Sequence, residues 1–100
     1  MTVFAALSDP TRVRILDLLA RRERSVGELV GQFELTQPAV SQHLRVLKEA
    51  GLVVSRAEAQ RRVYRINAAP LRQLDRWLER YRKFWATELD SLERHLDRNP

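Results

Sequence analysis

Two short amphipathic segments in the middle of the chain restrict its fold more than any other feature. The first begins at a capping box, in which Ser25 and Glu28 can each bond the other's backbone N–H. Apolar residues then follow at helical spacing, which predicts a short helix ending near Phe33. The second segment begins at Thr36, a good N-cap, and ends at a glycine. Two helices so closely connected predict a helix-turn-helix over about residues 25–50.

After the second helix the sequence changes to a strand-like pattern. Residues 52–57 and 62–66 are rich in β-branched and aromatic side chains, and a polar tip separates them. The pattern predicts a β-hairpin over about 52–66, with Val53 and Val63 on its core side. Its other positions make it strongly basic, through Arg56, Arg61, Arg62 and Arg65.

Two helices are predicted before this unit. Asp9 followed by Pro10 is typical of an N-cap and a first helical residue. The helix they start runs through Ala20 and has a wide apolar face that includes Val13. A short amphipathic helix containing Phe4 precedes it. This first helix can pack against a different part of the protein from the helix that follows it.

The last third of the chain predicts one long helix. It begins near Pro70, and apolar residues recur every three or four positions along it. At 1.5 Å per residue it is roughly 40 Å long, too long for the preceding short helices to cover its apolar stripe. A second copy of the chain is the obvious cover, so we interpret residues 70–98 as a dimerisation helix. The predicted interface residues are Phe4, Leu78, Tyr81, Trp85, Leu89 and Leu92; the stripe also includes Leu71, Leu74 and Leu96.

Composition narrows the class of partner. One hundred residues with 44% hydrophobic content suffice for a single domain, so one domain is expected over residues 1–100. The formal charge is +5, and all basic residues except Lys48 and Lys83 are arginine, which suits phosphate and guanine. There are no cysteines, which excludes disulfides, thiolate metal sites and thiol nucleophiles. No signal or membrane segment is recognised, so we expect a cytoplasmic protein without a membrane partner.

The polar face of the second predicted helix consists of side-chain types that read base edges. Gln pairs with adenine and Arg with guanine, and the N-terminal part of such a helix enters the major groove. Any amphipathic helix has a polar face, but the basic hairpin that follows favours DNA, because a wing there would meet the adjacent phosphates. The residues predicted to contact DNA are Gln37, Ser41, Gln42, His43 and Arg45 of the helix and Arg56, Arg61 and Arg62 of the hairpin.

Three blocks of the sequence resemble the ArsR family of winged-helix repressors. They are LSDPTRVRIL at 7–16, LTQPAVSQHLRVLKEAGLV at 35–53 and RRVYRI at 61–66. The resemblance covers nearly the whole chain and implies a winged helix-turn-helix, mainly α with a small β-hairpin. It implies a homodimeric repressor that occupies a palindromic operator in double-stranded DNA until an inducer releases it. The family's base-reading and wing positions fall on Gln37, Ser41, Gln42, Arg61 and Arg62.

The chain departs from the family pattern at two turns and at the metal sites. The family usually has glycine where this chain has Glu34, and near Ala59 and Gln60. If either backbone is left-handed, a non-glycine costs on the order of 1 kcal/mol. The family's sensor cysteines fall on Val30 and Gln32, so no metal and no cofactor are expected, as in the metal-independent branch. Its other ligand positions fall near Asp75, Trp77, Glu88 and Ser91.

Other functions remain open from the sequence. A winged-helix protein-interaction module would use the same fold, although the arginines on the wing argue against it. An RNA-binding winged helix is disfavoured, because a palindrome-reading dimer suits duplex DNA. An enzyme is not expected, since His43 and His95 lack an accompanying nucleophile or phosphate loop. The aromatic cluster of the last helix is either dimer core or the lining of an inducer pocket; it consists of Trp77, Tyr81, Phe84 and Trp85.

Overall fold

Five α-helices and three short strands make up the part of the chain that the structure describes. The computed structural model describes the backbone of residues 2–98 and their side chains except those of residues 90, 91 and 94–98. The predicted positions Ser91, His95 and Leu96 therefore have side chains outside the described ones. In chain order the elements are α1 (Thr2–Leu7), α2 (Pro10–Arg21), β1 (Arg24–Ser25), α3 (Val26–Val30), α4 (Gln37–Glu49), β2 (Val53–Glu58), β3 (Arg61–Ile66) and α5 (Leu71–Arg98).

Helices α2, α3 and α4 begin at the caps that the sequence predicts. Asp9 accepts hydrogen bonds from two backbone N–H groups of α2, at 2.8 and 3.2 Å. Ser25 and Glu28 make both bonds of the capping box, each 3.2 Å long. Thr36 accepts a bond of 3.3 Å from the third residue of α4. These bonds satisfy N–H groups that have no partner within the helix, which fixes where each helix begins.

The end of α4 sets the direction in which the hairpin leaves it. Gly51 has a φ of +76°, in the left-handed region that favours glycine. The N–H of Leu52 donates to the carbonyl of Leu47 and that of Gly51 to the carbonyl of Lys48, both at 2.9 Å. This Schellman arrangement ends the helix and turns the chain into β2.

Several local details differ from the sequence-based expectations. The α-helix of α3 ends at Val30 rather than near Phe33, because residues 31–33 continue as a tighter turn with bonds between residues three apart. Val13, expected on the apolar face of α2, is 37% exposed. The hairpin tip is only Ala59 and Gln60, since the strands pair as far as the residues on either side of it.

A third strand adds to the hairpin. β1 pairs antiparallel with β3, with Arg24 opposite Tyr64 and Ser25 opposite Val63, so the sheet order is β1-β3-β2. Two residues are too few for an alternating pattern to reveal a strand, and the partner is distant in sequence. The strand joins the base of the wing to the residues that start α3.

The core lies where α1 to α4 meet the base of the hairpin. It has contributions from every one of these elements. Among the side chains that the structure describes, α5 reaches the core only through partly buried Leu71. The inner face of α4 is fully enclosed, so this helix cannot rotate without exposing apolar area. The core cluster consists of Ala6, Ile15, Leu16, Leu19, Leu29, Val40, Leu44, Leu47, Leu52 and Val53.

The apolar stripe of α5 is largely uncovered in this chain. Phe4 of α1 meets Trp77 edge to face, with ring centroids 5.5 Å apart, and Trp77 continues through Tyr81 to Trp85 in an aromatic row. Phe4 and Leu78 are half-buried, whereas the other four predicted interface residues are exposed. No helix within residues 2–98 has a stretch apolar and long enough to cross a membrane.

Candidate nucleic-acid interface

The outer side of α4 carries four of the residues predicted to contact DNA. Val40, Leu44 and Leu47 are fully buried, and the 100° step per residue then turns other positions towards solvent. Four of the exposed positions, which we call the recognition face, are Gln37, Ser41, Gln42 and Arg45; Pro38, Lys48 and Glu49 are exposed as well. The structure brings these side-chain types together on one side of a helix that its own core holds in place.

His43 lies apart from the recognition face. Its ring is half-buried, and its Nδ1 is 3.4 Å from a guanidinium nitrogen of Arg12 in α2. The same guanidinium donates to the carbonyls of Ala6 and Ala5 in α1, at 2.7 and 3.1 Å. His43 therefore sits where three helices meet, and its predicted contact with DNA rests on the sequence alone.

One face of the hairpin carries arginines that already have carboxylate partners. Arg56 donates to both oxygens of Glu23, at 2.6 and 2.8 Å, and to Glu58 at 2.8 Å. Arg61 lies 3.5 Å from carboxylate oxygens of Glu58 and of Glu28. We call this side the paired face of the wing. Two of the three wing arginines predicted to contact DNA lie on it.

Two of the acids that meet these arginines, Glu23 and Glu28, have lowered pKa values. The hydrogen bonds from Arg56 hold the pKa of Glu23 below its usual value. The pKa of Glu28 falls to about 2, first through the backbone N–H of Ser25 and then through the guanidinium of Arg22. A DNA phosphate that approached Arg56 or Arg61 would therefore compete with a charged partner already in place.

The opposite face of the hairpin has a different chemistry. Successive strand residues point to opposite sides of a sheet, so Ser55 and Arg62 lie across from the paired face. Arg62 donates to the hydroxyl oxygen of Ser55 at 3.2 Å, and Lys48 of α4 donates to the same oxygen at 3.0 Å. We call this side the open face. Sequence reasoning missed Lys48, although its position seven residues after Ser41 indicates the same side of α4.

The wing tip shows one of the departures from the family pattern directly. Ala59 has a φ of +55° and is the only non-glycine with a positive φ among the described residues. Glu34, the other departure, needs no left-handed backbone. The strain that the sequence predicted conditionally therefore occurs at the wing and not in the turn between α3 and α4.

Metal ligands are not gathered anywhere in the described part of the chain. Within it, no group of three or more His, Cys, Asp or Glu side chains could hold a metal ion. The family's cysteine positions carry Val30 and Gln32, neither of which binds zinc-class ions.

Comparisons with known proteins point to one family. A family model described as "Bacterial regulatory protein, arsR family" matches residues 9–55. The chain is 36% identical over 76 residues to the transcriptional repressor SdpR of Bacillus subtilis (strain 168), covering 76% of this chain and 84% of that protein. It is 41% identical over 92 residues to the HTH-type transcriptional regulator Rv2034 of Mycobacterium tuberculosis, covering 92% and 83% respectively. A solved structure, the ArsR-like transcriptional regulator from Rhodococcus sp. RHA1, is similar with a TM-score of 0.76 and 33% identity over 99% of this chain and 91% of that one.

Proposed function

Since this chain belongs to the ArsR family of bacterial regulatory proteins, we propose that it represses transcription by binding a palindromic operator as a homodimer. It is a DNA-binding transcriptional regulator with a winged helix-turn-helix fold. The observation that carries the proposal is the recognition face, a set of base-reading side chains on a helix whose inner side is fully buried. A fixed helix with an exposed polar face can read a groove without first being ordered by it.

The recognition face and the wing have different tasks in this proposal. Gln37, Ser41, Gln42 and Arg45 lie in the major groove, where amide and guanidinium groups form bidentate pairs with adenine and guanine. Arg62 of the wing contacts the phosphate backbone. Arg56 and Arg61 reach phosphates only if they exchange their carboxylate partners, so their contribution to affinity is smaller.

Self-association through α1 and α5 is the second part of the proposal. The aromatic row and the leucines beyond it leave an apolar stripe exposed along α5, from Trp77 at 41% to Leu89 at 66%. Burying a fully exposed side chain of this size is worth roughly 1.5 to 3 kcal/mol, so covering the exposed half of each contributes about half as much, and together they favour a helix-to-helix dimer. A two-fold dimer places its two α4 helices about one DNA turn apart and therefore selects an inverted repeat.

We also infer one domain over the chain, with the helix-turn-helix at about 25–50, the wing at 52–66 and the dimerisation helix at 70–98. The relatives named above are transcriptional regulators, which supports a protein without catalytic activity. We infer a cytoplasmic location, because the proposed ligand is double-stranded operator DNA.

Selection from a library of random duplexes tests the proposal with the intact protein. We expect enrichment of an inverted repeat with half-site centres about 10 base pairs apart, and two chains per selected duplex in sedimentation. Arg45→Ala should lose preference for the selected site over random DNA, whereas Arg72→Ala, which removes the same charge at an exposed position on α5, should retain it. No enrichment at moderate salt would overturn the proposal and favour a protein-interaction module.

A further inference from the structure

We propose that Lys48, Ser55 and Arg62 form a phosphate site that joins the recognition helix to the wing. Its ligand is a backbone phosphate of duplex DNA, so the inference rests on the proposed function and adds a named contact to it. The site lies on the open face and uses Lys48, a residue that neither the sequence pattern nor the family resemblance assigned.

The geometry of the three side chains converges on one oxygen. Lys48 lies in the last turn of α4, Ser55 in β2 and Arg62 in β3. Both cationic nitrogens lie within 3.2 Å of the Ser55 hydroxyl oxygen. Ser55 is half-buried and the two cations are exposed, so the hydroxyl anchors two charged groups that face solvent.

The hydrogen-bonding capacity of this cluster is complementary to an anion. A serine hydroxyl has two lone pairs and one proton, and the bonds from Lys48 and Arg62 occupy both lone pairs. What remains is the hydroxyl proton and the other N–H groups of the two cations, all of them donors. A ligand for this cluster must supply several acceptors and negative charge, and the free oxygens of a phosphodiester supply both.

Charge distinguishes this cluster from the paired face. Among the described residues, Lys48 and Arg62 form no salt bridge, whereas Arg56 and Arg61 each meet two carboxylates. Two like charges on one hydroxyl repel each other, and an anion bound between them removes that repulsion. The most favourable place for a phosphate on the wing is therefore the open face.

The position of the site relative to α4 selects the DNA backbone as the source of the phosphate. Lys48 continues the row of Ser41 and Arg45 along the outer side of the helix. At 1.5 Å per residue, Lys48 is about 10 Å along the helix from Ser41. The major groove is about 12 Å wide, so a helix with Ser41 over the bases brings Lys48 near one phosphate rim. The hairpin that follows α4 would then lie next to the same row of phosphates.

Matched charge-neutral variants test the site. We compare Lys48→Gln, Arg62→Gln and the double variant with Arg65→Gln, using the selected operator and a random duplex. Arg65 is on the same strand and also exposed, but it lies on the paired face, where its charge helps to lower the pKa of Glu23. Thermal melting of each variant checks that the exposed substitutions leave the fold intact.

The expected result is a weakening that does not depend on sequence. Lys48→Gln and Arg62→Gln should each weaken binding to both duplexes by the same factor, roughly a hundredfold or more, because each chain of the dimer gives up one charged hydrogen bond. The slope of log affinity against log salt should fall by about 0.9 for each phosphate that the variant no longer neutralises. Arg65→Gln should change both quantities much less, and Arg62→Lys should recover part of the affinity.

Each other outcome has a separate meaning. A double variant close to either single variant supports one shared phosphate, whereas a weakening equal to the product of the two single effects overturns the shared site. If Lys48→Gln and Arg62→Gln lose no more DNA affinity than Arg65→Gln, the inference is overturned. The proposed function still stands in that case, provided that the unaltered protein binds the operator. If the unaltered protein binds no duplex at any salt concentration, both proposals fall together.

Discussion

Leucine side chains are buried in the part of the molecule from α1 to β3 but exposed along the helix α5. Leu44 and Leu47 of α4 are fully buried by their own chain, whereas Leu89 of α5 is 66% exposed and Leu92 54%. The first part satisfies its apolar residues within one chain. The second leaves them exposed, and in the proposed dimer a second copy covers them, so the stability of the two parts should respond differently to protein concentration.

This difference matches the two tasks of the proposed regulator. A DNA-reading helix must be held in a fixed orientation, and the enclosed inner side of α4 does this in each copy separately. A palindrome reader must also fix the distance between two such helices, which only a second copy can do. Changes in the first part should therefore act on each chain alone, and changes in α5 on the pair.

Removal of residues 86–100 should have the largest effect. The shortened α5 would retain its aromatic row without the leucines that extend the stripe, so we expect monomers or aggregates instead of dimers. Operator affinity should collapse, because each half-site alone contributes too little. Sedimentation of the truncated protein and operator binding measure the two effects, and a truncated protein that remains dimeric would contradict the role given to α5.

A pair of leucine substitutions tests the comparison directly. Leu44→Ala leaves a cavity in the core and should lower the free energy of unfolding by about 2 to 5 kcal/mol at any protein concentration. Leu89→Ala removes an exposed group and should weaken only the dimer, so its effect on thermal melting should depend on concentration. Melting curves at two concentrations a hundredfold apart distinguish the two. If the shift in melting temperature relative to the unaltered protein depended on concentration equally for both variants, the proposed difference between the two parts would be wrong.

The same division explains what the sequence could predict. Local patterns gave the caps at Asp9, Ser25 and Thr36, because each cap is decided within four residues. Strand β1 and the pairing of Glu23 with Arg56 depend on residues 33 or more positions apart, which no local pattern reports. For that reason the sequence could not predict which arginines of the wing have carboxylate partners and which do not.

The candidate site shows the same limit at the level of single side chains. The recognition face followed from helical periodicity alone, since three buried positions fix which side of α4 is exposed. Periodicity also places Lys48 on that side, but its contact with Ser55 depends on how the hairpin folds back. The sequence could therefore predict the reading residues but not the junction between helix and wing.

Low pH should reduce the stability of the part from α1 to β3, because Glu28 becomes protonated. Its pKa is lowered from 4.5 to about 2, so the ionised form stabilises the fold above about pH 4.5 and loses this effect as the pH falls towards 2. Glu28→Gln retains a capping-box side chain without the charge. The unaltered protein should be the more stable at pH 7, and its advantage should shrink at pH 3.5. Urea unfolding at both pH values measures this, and a constant difference would contradict it.

The smallest expected effect concerns the wing tip, which lies in the first part and should act on each chain alone. Ala59 has a φ of +55°, so Ala59→Gly should raise the free energy of unfolding by about 0.5 to 1 kcal/mol. Ala57→Gly is the matched control, because Ala57 is an exposed strand residue without a positive φ. Glycine gains the same entropy in the unfolded chain at both positions, so Ala57→Gly should destabilise by a similar amount. Opposite signs, independent of protein concentration, would assign the difference to backbone strain at Ala59, whereas equal decreases at the two positions would show that the tip is not strained.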